Sequence, residues 1–145
     1  MIRSLAALAA LAAIALVGCG GSDEPAGPPS GKLSAPLTYV RDGRDGVHRE
    51  VTVQPDGTGT LSLEGDAKSG QAAFELEPAE LTRIAELTSE ADLASVDSPD
   101  HHEDANHTFV LTYGDAKVTW DEEERPKGLE QLTSRMFDVL EKYRG

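Results

Sequence analysis

The chain has 145 residues, with 26 acidic against 13 basic side chains and a net charge of −13 at pH 7. That balance argues against nucleic acid, where affinity comes largely from Lys and Arg contacts to phosphate. It also argues against an electrostatic hold on anionic lipid, which needs clustered bases. The single cysteine excludes an internal disulfide framework.

Residues 1–18 read as a secretory signal peptide. Arg3 precedes an apolar run from Leu5 to Val17, and Gly18 then stands before Cys19. The run is ~13 residues long, short of the ~20 that span a bilayer. The sequence Leu16-Val17-Gly18-Cys19 resembles a bacterial lipobox. That resemblance implies cleavage before Cys19, acylation of its thiol and a lipid-anchored, extracytoplasmic protein. Its membrane partner would be the bilayer, reached through the lipid on Cys19. Cleavage removes Arg3 and no acid, so the mature chain is still more acidic. With Cys19 acylated, no free thiol remains and the fold rests on packing.

The segment 19–35 joins the acylated cysteine to a stretch of mostly Gly, Pro, Ser and acid. Such a stretch buries too little apolar surface to offset ordering, so it reads as a tether. Fully extended it reaches at most roughly 55 Å. Residues 36–145 are enough for one domain.

The domain opens in period two. Leu37, Tyr39 and Arg41 alternate with Thr38 and Val40. Residues 42–46, with Asp42-Gly43 and Asp45-Gly46, read as a hairpin turn. Val51 and Val53 then share a face, opposite Glu50 and Thr52. Pro55-Asp56-Gly57 is a strong turn, because Pro presets φ and Gly accepts φ > 0. Leu61 and Leu63 follow, and then Ala72, Phe74 and Leu76 as a further alternating run. The pattern predicts a four-stranded antiparallel meander.

At Pro78 the period changes. Pro78 and Glu80 suit the first turn of a helix, and Leu81, Ile84, Ala85 and Thr88 fall on one face. The spacing predicts a helix over 78–91. Leu93 and Val96 pack after it, and residues 98–106 form a polar loop. Phe109, Leu111 and Tyr113 begin a second hairpin, turned at Gly114-Asp115 and returning through Ala116, Val118 and Trp120. Residues 121–125 read as a charged connection. Pro126 can open the last helix, predicted over 127–143 from Leu129, Leu132, Met136, Val139, Leu140 and Tyr143. One apolar stripe per helix and one apolar face per strand give a two-layer α+β domain. Its antiparallel sheet has about six strands, with two helices on one face.

Chemistry is sparsely written. His101-His102-Glu103-Asp104-Ala105-Asn106-His107 gathers three of the four histidines. His102-Glu103 with His107 misses H-E-x-x-H by one residue, which sets the histidines ~140° apart on an ideal helix. A looser surface site for zinc or copper through His101, His102 and His107 stays open, against the plainer reading of a solvated loop. Asn106-His107-Thr108 matches a glycosylation sequon, which a bacterial-type lipobox makes a chance match. The acidic run Asp121 to Glu124 lacks the Asp-x-Asp-x-Asp-Gly spacing of a calcium loop and reads as a solvated connection. Trp120 and Tyr113 either line the core or form an aromatic contact surface. No Gly-x-Ser-x-Gly elbow and no phosphate-binding glycine loop occur, so an enzyme is not expected and no cofactor is implied.

The order of parts resembles a known family. Arg41-Asp42-Gly43 leads to Gly46-Val47, Val51-Thr52-Val53 and Asp56-Gly57. Then come Leu76-Glu77-Pro78-Ala79-Glu80-Leu81, Phe109-Val110-Leu111-Thr112 and a Pro-led helix with Leu129 and Leu132. Over roughly 37–143 this layout resembles the emfourin family. That family comprises proteinaceous inhibitors of thermolysin-like metallopeptidases, with many small secreted or lipidated bacterial proteins grouped with them. The resemblance implies a compact α+β domain that blocks a zinc peptidase's cleft, and it supplies no catalytic residue. The family pattern has an aspartate and an aromatic residue ahead of the strand near Thr108; Ala105 and His107 stand there in this chain. The residues expected to meet an extracellular metallopeptidase are Asp42, Arg44 and Asp45 in the first turn, and His101, His102, Glu103 and His107 in the polar loop. The alternatives are a non-inhibitory accessory or structural lipoprotein of the cell envelope, and a surface metal-binding protein.

Overall fold

A computed structural model describes residues 31–65, 67–99 and 104–145. Six strands form one antiparallel sheet: β1 (Leu37–Gly43), β2 (His48–Val53), β3 (Thr58–Glu64), β4 (Gly70–Glu75), β5 (His107–Tyr113) and β6 (Ala116–Asp121). Their order is β4-β3-β2-β1-β5-β6. The first four are the expected meander. The second hairpin adds itself beside β1, so β1 lies centrally between β2 and β5. Helices α1 (Pro78–Ala91) and α2 (Glu130–Tyr143) lie mostly on one side. The α+β class and two-layer build expected from the sequence are those observed.

Local chemistry accounts for the boundaries. Gly57, at φ +89°, lets the chain reverse after Pro55-Asp56, and Asp56 Oδ1 accepts the Thr58 backbone N–H at 2.9 Å. Helix α1 starts at Pro78, where a missing N–H costs nothing. Glu80 reaches back to the Glu77 N–H at 3.4 Å. It also meets Lys142 at 2.8 Å and Arg135 at 3.5 Å, tying α1 to α2. These contacts, Lys142 first, hold the Glu80 carboxyl below the usual range.

The core lies between sheet and helices. Leu37, Tyr39, Val51, Val53, Leu61, Leu111, Val118 and Trp120 meet Ile84, Leu87, Leu132, Met136 and Leu140, all buried. Trp120 is therefore a core residue, while Tyr113 is half-buried and its hydroxyl bonds the Ser34 N–H and hydroxyl. Leu33 is buried as well, so the chain is already held against the domain before β1 begins.

Three sequence expectations are corrected. Helix α2 begins at Glu130, not 127, because Gly128 sits at φ +87° and keeps Pro126-Lys127-Gly128 in a turn. Asp121 is not part of a solvated connection. It closes β6, is fully buried, and its Oδ1 accepts the N–H groups of Glu123 at 2.9 Å and Glu124 at 3.1 Å. In β4, Ala72 is exposed instead of facing the core. Phe74 packs only at the rim, stacked on Tyr143 of α2 at 4.3 Å between centroids.

Candidate functional site

The β1–β2 turn and the segment entering β5 converge at one end of the sheet. The turn closes through Gly43 N–H to Val47 O at 2.8 Å and Gly46 N–H to Gly43 O at 3.0 Å. Asp45 Oδ1 accepts the Val47 N–H at 3.2 Å. Arg44 then donates its backbone N–H to Asn106 O at 2.8 Å. Its exposed guanidinium lies 3.9 Å from Asp104 Oδ1, a contact of little energetic weight. Just past β6, Glu122 accepts the N–H groups of Asn106 (2.8 Å) and His107. Those donors, Asn106 first, hold the Glu122 carboxyl below its ordinary value.

Register decides which face each side chain takes. Arg41 stands directly opposite Arg49 on β2 and Phe109 on β5, and Gly43 stands opposite His107. All share the helix-bearing face with Leu37 and Tyr39, because strand side chains alternate. Asp42 and His48 pair on the outer face, where the Asp42 carboxylate bonds His48 Nδ1 and Glu50 lies 3.7 Å from Nε2. The Asp42 hydrogen bond, ahead of burial's opposing effect, raises the His48 pKa.

On the inner face, Arg41 Nη2 is 2.9 Å from His107 Nε2. A guanidinium only donates, so Nε2 is the acceptor and the imidazole proton sits on Nδ1, 3.8 Å from Glu122 Oε2. Arg49 faces Glu141 of α2 at 3.8 Å. Phe109 lies in a row of parallel rings, 5.6 Å from Trp120, 6.5 Å from Tyr39 and 6.3 Å from His107. Two concavities flank Arg41. A small one of about 110 Å³ is lined by Arg41, Gly43, Asp45, Val47, Arg49 and His107. A cleft of about 290 Å³ opens between the sheet and α2, over Tyr39, Phe109 and Phe137, with Arg41 and Arg125 at its wall. Burial pushes the Tyr39 hydroxyl up in pKa, while the nearby charges of Arg41 and Arg125 pull it down.

Of the residues expected to make contacts, Asp42, Arg44, Asp45 and His107 are brought to this end. Asp42 points to the outer face and His107 to the inner one. His101, His102 and Glu103 lie outside the described residues. His107 is turned into Arg41 and Glu122, and among the described residues no three His, Cys, Asp or Glu side chains are grouped for a metal. Also among them, no helix is long and apolar enough to cross a membrane. The inventory suits recognition by charge, hydrogen bonding and aromatic surface. Sequence reasoning singled out neither Arg49 nor Arg125 as a site residue, and it took Arg41 as part of an alternating strand. The available signal was an arginine at an inward position of that strand.

No protein-family model matches the chain, and no curated protein matches it with significance.

Proposed function

We propose that this protein is an extracytoplasmic binding lipoprotein, held to the membrane through lipid on Cys19, that works through the end of the sheet carrying the β1–β2 turn. The observation that carries this reading is the hydrogen bond from Arg44 N–H to Asn106 O at 2.8 Å. It joins two turns far apart in sequence into one braced, charged edge, with Arg44, Asp45 and His107 side by side. A preorganised edge lowers the ordering cost of binding. The partner we propose is a secreted zinc peptidase of the thermolysin-like class, inhibited by occlusion of its cleft. Support comes from the residue layout resembling the emfourin family and from an α+β fold of the kind that resemblance implies.

The test is a titration of the chain lacking residues 1–18 against a thermolysin-like peptidase. Stoichiometric loss of activity is expected, weakened when Arg44 and Asp45 are replaced by alanine together. Full activity at excess protein would remove the peptidase from the reading. The anchor is tested apart from it: Cys19→Ala is expected to abolish labelled-palmitate incorporation and to move the protein out of the membrane fraction.

A further inference from the structure

We propose that the cleft between α2 and the β1–β5 end of the sheet binds an apolar carboxylate, with Arg41 and Arg125 meeting the carboxylate and Phe109 and Phe137 its apolar body. The inference does not depend on a peptidase partner. It starts from a local reversal of charge. A chain of net charge −13 puts Arg41 and Arg49 directly opposite each other on adjacent strands, with Arg125 at the same cleft. Like charges directly opposite in a sheet are unfavourable. Arg49 is answered by Glu141 at 3.8 Å. Arg41 is answered by a neutral imidazole at 2.9 Å, and among the described residues neither Arg41 nor Arg125 is within ion-pair distance of a carboxylate. Two guanidiniums at one cleft wall therefore retain donors suited to a planar carboxylate, which they bind in forked geometry.

The rest of the cleft fixes the kind of acid. Its floor is aromatic, from Tyr39 and Phe109, and Phe137 of α2 stands over it. About 290 Å³ admits one aromatic or branched aliphatic side chain, not a polymer. An inorganic anion leaves that apolar surface unused. Two sources share the required chemistry: the C-terminal residue of a peptide chain, and a free aromatic or aliphatic acid.

Calorimetry and NMR titration of the full chain in detergent test this. The probes are N-acetylphenylalanine, Gly-Gly-Gly-Phe, the C-terminal amide of each, and inorganic phosphate. Both acids are expected to bind saturably, with each amide weaker by about tenfold or more, as loss of a charge-assisted hydrogen bond implies. Arg41→Gln and, separately, the exposed Arg125→Gln should each weaken the acids by a similar factor and leave the unfolding midpoint in place. Tighter binding of the tetrapeptide assigns the site to peptide termini; equal binding assigns it to free acids. Absence of saturable binding by either acid would overturn the proposal. So would amides that bind as well as the acids, phosphate that binds as tightly, or Arg125→Gln protein that folds normally and binds unchanged.

Discussion

One face of this sheet holds two halves of opposite character. In the row Leu61, Val51, Tyr39, Leu111 and Val118, every residue is at most 3% exposed. One step along the same strands the row reads Leu63, Arg49, Arg41, Phe109 and Trp120. The outer strands keep their apolar residues, and only the middle of the row turns cationic. Covered core and open cationic surface are thus divided within two residues of the same strand. Helix α2 crosses the border: Met136 and Leu140 serve the closed half, while Phe137 and Glu141 face the open one.

The comparison breaks most sharply in the core, which reaches into the second row at its outer strand. Trp120→Ala empties the largest fully buried side chain and should cost about 3–5 kcal/mol in denaturant unfolding. A cost near zero would mean that Trp120 is no part of the core. Gly59→Ala comes next. A Cβ there meets the Phe74 ring, which must slide off Tyr143, and about 1–3 kcal/mol should be lost. Arg41→Leu sharpens the contrast from the other side. Removing a charge beside Arg49 should change stability by about 1 kcal/mol or less, in either direction, while weakening carboxylate binding by about tenfold or more. A large destabilisation would show that Arg41 belongs to the structural half.

The smallest effect concerns pH and lies on the outer face. The folded state raises the His48 pKa through Asp42, so the folded protein binds the proton more tightly than the unfolded chain does. This contribution is complete below the free-histidine value of about 6.5 and is lost as pH rises through the raised folded value. His48→Gln should flatten that part of the stability–pH curve measured by thermal unfolding.

Much of the fold was legible because period and turn chemistry agreed. Helix α1 begins and ends where Pro78, Glu80 and the apolar spacing place it, and Gly57 and Gly114 mark their turns. Two misreadings share one cause: local sequence does not show which residues end up covered. Asp121 heads an acidic run and looks solvated, yet the turn after β6 needs its carboxylate to satisfy two backbone N–H groups. Ala72 keeps the alternation of β4 but stands on an edge strand that α2 meets at Phe74 and Glu75, through Tyr143. At the candidate site, Asp42, Arg44 and Asp45 were visible because turns expose their residues. The pairing of Arg41 with Arg49 was not, since it depends on strand register.

The position of β1 has a mechanical consequence. The chain enters β1 at Leu37, close to where Ser34 is fastened to Tyr113, and leaves at Gly43 beside the candidate site. Load carried between an anchor at Cys19 and a partner at that far end would run along the axis of β1. The ladders to β2 and β5 lie across that axis. Such a pull shears both ladders at once instead of unzipping them bond by bond. Because β1 lies between β2 and β5, it could slide out only if both ladders gave way together.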